Sequence, residues 1–217
     1  MDKKQVLEVI NKVKESSKKE FIQKIDLIVN LKNINLKKPE ENIDVFVPLK
    51  HTPGKTIKIC ALVGREMQDQ AAVFDKVITR DEFPDYQDKK IIKNLAKEYD
   101  LFAAQANLMT DVAKSFGKTL GPKNKMPNPK SGGVIAPGMN LDELKNKLTR
   151  TIRLKTKNEP IIKTYIGNQN MPDEQILDNF FDVYNALIRN LPQEEGNIKN
   201  VILKLTMGPV FKIEKKK

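Results

Sequence analysis

Hydrophobic positions along the chain change period several times, and each change marks an element. Val6, Val9, Ile10 and Val13 recur at helical spacing in a charged segment that runs to Lys19, which predicts an amphipathic first helix. From Phe21 the period falls to two. Phe21, Ile25, Leu27, Val29 and Leu31 take one face of a strand, and Lys24, Asp26, Asn30 and Lys32 take the other. Pro39 and two acids make a loop. Ile43, Val45, Val47 and Leu49 then alternate up to the break at His51-Thr52-Pro53-Gly54, giving a second strand of one antiparallel layer.

The texture changes after Gly54. Ile57 to Gly64 is nearly continuous in apolar residues, as in a strand covered on both faces. A short helical piece, a strand at Val77-Ile78, a helix through Ile91, Ile92 and Leu95, a strand from Leu101 to Ala104 and a helix carrying Leu108, Val112 and Phe116 follow. This alternation reads as a small parallel α/β unit. Asn140 with Glu143 three residues on forms a capping box for a helix through Leu141, Leu144 and Leu148, closing the region near Arg150.

Beyond the polar stretch Lys155 to Glu159, Ile161 to Ile166 reads as a strand ending at Gly167. Pro172, Asp173 and Glu174 open the clearest helix, with Ile176, Leu177, Phe180, Phe181, Tyr184, Leu187 and Ile188 in one stripe ending before Pro192. A last strand runs from Val201 to Thr206. Both chain ends share an alternating pattern that the middle lacks. The predicted architecture is therefore an α+β domain made of residues 1–54 and 157–217, with an α/β domain of residues 55–156 inserted. Crossing linkers near 52–55 and 155–159 would form a hinge.

Charge then points to a partner. The 217 residues hold 39 Lys and Arg against 28 Asp and Glu, a formal net charge of +11, which favours a polyanion over mere solubility charge. Residues 1–54 and 155–217 hold 21 basic and 16 acidic residues, and residues 55–154 hold 18 and 12, so neither part is neutral. The single cysteine, Cys60, excludes an internal disulfide and a two-cysteine metal site, and fits a reducing cytosol. No apolar run approaches the roughly 18 to 20 residues that span a bilayer, so no membrane partner is expected.

Candidates for catalysis are poor. His51 is the only histidine, so no second one can orient a nucleophile or complete a metal site. Gly117-Lys118-Thr119 resembles the end of a phosphate loop, but the first glycine of that motif would fall on Val112, and the preceding residues read as helix. A nucleotide- or sugar-phosphate-binding enzyme would need a glycine-rich turn after the first parallel strand, where Gly64-Arg65-Glu66 offers one glycine and an acid.

Between Asp111 and Asp142 there is no acid, while Lys114, Lys118, Lys123, Lys125 and Lys130 all fall inside. Gly121-Pro122, Met126-Pro127 and Asn128-Pro129 restrict the backbone, so Gly117 to Gly133 reads as a stiff, extended cationic loop suited to a phosphate backbone. A solvated connector whose prolines block a strand edge is equally compatible with composition.

The run Leu120-Gly121-Pro122-Lys123-Asn124-Lys125-Met126-Pro127-Asn128-Pro129-Lys130 resembles the signature of the large-subunit ribosomal protein one family. Thr206-Met207-Gly208-Pro209 is a second match near the C-terminus, and the resemblance covers essentially the whole chain, with an archaeal length. It implies a terminal α+β domain with an inserted Rossmann-like, three-layer domain and a hinge. It implies a cytoplasmic, non-enzymatic component of the large ribosomal subunit, monomeric when free and without cofactor or metal. Expected partners are large-subunit ribosomal RNA in the mobile stalk, deacylated tRNA leaving the exit site, and the messenger RNA of its own operon, which it would repress.

Carried over position by position, the resemblance places the principal RNA contact on the terminal domain at Phe21, Lys24, Lys163, Gly167, Thr206, Met207 and Gly208. Lys163 and Gly167 match the turn before the long helix, and relatives often carry histidine where Lys163 stands. Hydroxyl, backbone and apolar groups of this kind suit shape readout of RNA. Lys123, Lys125 and Lys130 would add salt-sensitive phosphate contact, and Lys215 to Lys217 form a basic tail. By burial preference alone Phe21 belongs in a core, and Thr206 to Pro209 is a strand ending in a turn. A regulator acting off the ribosome would share every one of these residues.

Overall fold

A computed structural model describes residues 1–17, 19–38, 41–54 and 56–213. Pro39, Lys55 in the first expected linker and the tail Lys215 to Lys217 lie outside the described residues. The chain divides into two compact units, one of residues 1–55 and 150–217 and one of residues 56–149.

The first unit contains α1 (Lys3–Glu15), β1 (Lys24–Leu31), β2 (Asp44–Pro48), β7 (Thr151–Lys155), β8 (Ile161–Asn168), α6 (Asp173–Asn190), β9 (Ile198–Leu205) and β10 (Val210–Ile213). Helix α1 starts where the Asp2 carboxylate accepts from the Lys4 amide, and buries Val6, Ile10 and Val13. Lys14 ties its far end to the Met171 carbonyl and the Asp173 carboxylate at the start of α6. Strands β10, β9, β1 and β8 form one antiparallel sheet in that order. Alternation along β1 sends Ile25, Leu27, Val29 and Leu31 into a core shared with α1 and with Ile176, Phe180, Val183, Tyr184 and Leu187 of α6. Asn179, fully buried on α6, accepts from the His51 amide at 3.0 Å and donates to the carbonyls of His51 at 3.0 Å and Ile166 at 2.8 Å. That side chain pins the segment after β2 to the helix.

Two expectations change here. Strand β2 does not join β1 but pairs with β7 as a separate antiparallel ribbon, Val45 opposite Leu154 and Val47 opposite Ile152. Val47, Ile152 and Leu154 add to the first unit's core. Residues 151–155, expected within the inserted domain, therefore belong to the first unit, and the chain crosses back at 149–150 rather than at 155–159. Alternation fixes which face of a strand is buried, not which strand it pairs with.

The second unit contains β3 (Ile59–Val63), α2 (Gln68–Ala71), β4 (Lys76–Thr79), α3 (Lys89–Glu98), β5 (Leu101–Gln105), α4 (Met109–Leu120), β6 (Val134–Ile135) and α5 (Leu141–Arg150). Its sheet is parallel, in the order β4, β3, β5, β6. Cys60, Leu62, Phe102 and Ala104 pack with Ile92, Leu95, Val112 and Phe116 of α3 and α4. Ile59, Ala61, Val63 and Ala103 pack with Ala71, Leu141, Leu144 and Leu148 of α2 and α5. Every β3 side chain is buried, as its continuous apolar run requires. Asn140 caps α5, accepting from the Asp142 amide at 3.0 Å while donating to Glu143 at 3.4 Å.

Candidate nucleic-acid interface

The register of the first unit's sheet gathers distant residues at one end. Ile25 lies opposite Leu205 of β9 and Gly167 of β8, so the start of β1 sits beside the ends of both neighbours. The Thr206 amide donates to the Lys24 carbonyl at 3.1 Å, and the Gly208 amide closes a turn on the Leu205 carbonyl at 2.9 Å. Gln23, buried beneath, accepts from the Met207 amide at 3.0 Å through its side chain and from the Gln169 amide at 2.9 Å through its backbone. These bonds hold Gln23, Lys24, Gln169 and the turn from Thr206 to Gly208 at one sheet end, with Phe21 and Ile22 directly preceding Gln23 in the chain.

That end is apolar and open. Phe21 is 55% exposed, Ile22 61%, Met207 65% and Val210 56%, and among the described residues the only other exposed large hydrophobics are Ile91 and Met139 of the second unit. Four of the six thus fall at this one end of the sheet, where solvation alone offers no reason for them. Burial preference alone puts Phe21 in a core, but the chain joins the sheet only at Lys24, leaving Phe21 outside the ladder and exposed, as an RNA-contacting role requires. Cations flank the patch. Lys24 lies over the Tyr165 ring at 4.8 Å, and Lys204 stands opposite Asp26 and Val210. Burial pushes the Asp26 carboxyl above its ordinary range, against the opposing pull of the Thr206 hydroxyl and of Lys204 and Lys24.

Two predicted residues sit differently. Gly167 lies within β8, buried and facing inward, and a Cβ there would meet Ile176 Cγ1 and Met171 Sδ at 3.1 Å each. It is glycine so that the start of α6 can pack close. Lys163 is also inside β8, exposed and opposite Ile28, four residues from Gly167 and so about 13 Å along the strand at 3.3 Å per residue. The surface toward solvent between them carries Lys24, Asp26, Ile28 and Asn30 of β1 beside Lys163 and Tyr165 of β8.

The loop of the second unit is not extended. Gly121 to Asn124 form turns, with Asn124 left-handed at φ 57°, and Pro129–Ser131 form one turn of 3₁₀ helix. The Asn128 side chain accepts from the Lys130 amide at 2.9 Å, while its carbonyl accepts from the Gly133 amide at 3.0 Å and the Ser131 hydroxyl at 2.8 Å. Proline's φ suits such turns as well as extension. Lys125 is turned inward, donating to the carbonyls of Ala96 at 2.9 Å and Tyr99 at 2.7 Å where α3 ends. Lys123 is exposed, 3.3 Å from the Lys93 carbonyl, and Lys130 is exposed.

The crevice between β3 and β5, where the connections of a parallel sheet diverge, is the usual nucleotide position. Gln105 fills it, accepting from the Gly64 amide at 2.8 Å and donating to Glu66 at 3.0 Å. Among the described residues no group of three or more His, Cys, Asp and Glu could hold a metal, and no helix is long and apolar enough to cross a membrane.

Comparison with known proteins identifies close relatives of the whole chain. The chain is 39% identical to the large ribosomal subunit protein uL1 of Nanoarchaeum equitans, over 94% of this chain and 97% of that one. It is 36% identical to the protein of the same name from Pyrococcus abyssi, over 98% and 97%, and 33% identical to that of Methanocaldococcus jannaschii, over 100% and 98%. These archaeal relatives are named as ribosomal proteins, not as enzymes. The model of the Ribosomal protein L1p/L10e family matches residues 13–209, taking in the end of α1, all of α6 and both signature segments, and the chain belongs to that family.

Proposed function

We propose that this chain is a structural protein of the large ribosomal subunit that grips ribosomal RNA with the open sheet end of its first unit. The carrying observation is the cluster of Phe21, Ile22, Met207 and Val210 beside Lys24 and Lys204. Aromatic and thioether groups take bases or sugars, and flanking ammonium groups take phosphates, the combination that recognises RNA by shape. Thr206 and Gly208 hold the turn that presents Met207. In this reading the two units are two domains, the second inserted in the first, and Lys123 and Lys130 add salt-sensitive contact from the inserted one. Hinged movement between them accompanies release of deacylated tRNA from the exit site. The same sheet end, binding a similar element in the messenger RNA of its own operon, represses that operon. The protein works in the cytoplasm on the ribosome and is monomeric when free.

The test is binding to a large-subunit ribosomal RNA fragment and to an unrelated RNA of equal length. Phe21→Ala is expected to weaken cognate binding by roughly 1–3 kcal/mol, the range for an aromatic under a base, and Met207→Ala in the same direction. Both leave the dependence on salt nearly unchanged. An equal loss on both RNAs would refute shape recognition at this site.

A further inference from the structure

Lys163 stands apart from the sheet end, and the structure places it in a site of its own. Lys155, Lys157, Asn158, Glu159, Ile161 and Lys163 line a cleft of about 340 Å³ at the connection of β7 to β8. We infer that this cleft is a second anion site of the first unit, binding a backbone phosphate of the RNA whose neighbouring segment lies on the sheet end. The inference rests on the RNA-binding reading above.

Charge and geometry carry it. Three lysines, Lys155, Lys157 and Lys163, line the cleft against one lining acid, Glu159. Lys155 also approaches Asp44 at 3.5 Å, but Arg153 already holds that carboxylate with two bonds of 2.6 Å each. One Asp44 shared by two cations leaves the cleft with an uncompensated positive excess. Lys157 and Lys163 have no ion-pair partner among the described residues, and the residue opposite Lys163 is the uncharged Ile28. The Asn158 amide adds a neutral donor. Several donor-bearing side chains lining one recess suit an oxyanion with several acceptors better than a flat basic surface does. The surface from the sheet end to the cleft lies along β1 and β8, over about 13 Å, a length that one strand of RNA covers in a few nucleotides.

The test uses the full chain, the large-subunit RNA fragment and a salt series. Lys157→Ala is expected to reduce the slope of log affinity against log salt by about 0.7–0.9, which makes the loss of affinity between about 50 and 200 mM salt about threefold smaller than for the native protein. Glu159→Gln is expected to raise affinity at low salt. Lys4→Ala, on exposed α1 surface, serves as the control for net charge and is expected to leave the slope in place. A native slope for Lys157→Ala, or a change matched by Lys4→Ala, overturns the cleft while the sheet-end reading stands if Phe21→Ala still weakens cognate binding. Failure of the native protein to prefer the cognate fragment overturns both.

Discussion

Replacing Lys125 by methionine keeps most of the side-chain stem and removes an ammonium that donates at 2.9 Å to Ala96 and 2.7 Å to Tyr99. Ala96 lies in the last turn of α3 and Tyr99 directly follows it, where carbonyls lack partners within the helix. A hydrogen bond to a charged group contributes about 1.5–3 kcal/mol, and a cation beside a helix C-terminus about 0.3–1 kcal/mol. One partly exposed ammonium serves both carbonyls, so the lower ends apply, and the expected loss is about 2 kcal/mol. With a urea m-value of about 1–2 kcal/mol/M the midpoint falls by about 1–2 M. RNA affinity measured across a salt series keeps its native slope, because this ammonium already faces protein oxygens. An unchanged midpoint together with a slope smaller by about 0.7–0.9 would mean that Lys125 binds phosphate and that the reasoning is wrong.

Asn179→Leu keeps the size of the side chain but strands the His51 amide and two carbonyls, so urea unfolding should show a loss of about 3 kcal/mol; a loss below about 1 kcal/mol would show that those groups find other partners. Burial raises the Asp26 pKa above its ordinary 3.8, so its contribution to stability is fully present below that value and is lost as pH rises through the folded pKa. The stability of Asp26→Asn relative to the native protein should therefore increase from about pH 3 to pH 7, and a flat or falling difference contradicts the shift. Cys60 is buried and its thiol is pushed up to about 12 by desolvation. A thiol reagent at mildly alkaline pH should label it only after unfolding, and rapid stoichiometric labelling of the folded protein would refute this.

Long periodic segments were readable because burial imposes their period. The stripe of α6 and the alternation of β1 each dictate a face, and the structure buries those faces. Strand β7 escaped because Thr151-Ile152-Arg153-Leu154-Lys155 follows a charged helix directly, with no turn residue to mark the change. Strand β10, four residues ending at Ile213, is too short for its alternation to stand out. At the interface, residue types pointed to RNA only through a family likeness, since exposure of Phe21 depends on where the ladder begins. Lysine counts could not say which ammonium groups are taken up internally. Lys125 serves a helix end, whereas Lys157 and Lys163 face a cleft, and only the packing of α3 and the β7–β8 connection separates them.

The pairing of β1 with β9 sets a schedule for synthesis. Lys24 and Thr206, whose bond joins the two halves of the sheet end, are 182 residues apart. At roughly 5–20 residues per second, translation leaves the start of β1 without β9 for on the order of 10–40 s. A nascent or truncated chain lacking β9 holds all of residues 56–149, yet it lacks the Met207 turn at the start of β1. The sheet end proposed to bind RNA is thus complete only in finished chains, and incomplete ones are not expected to compete for the same RNA.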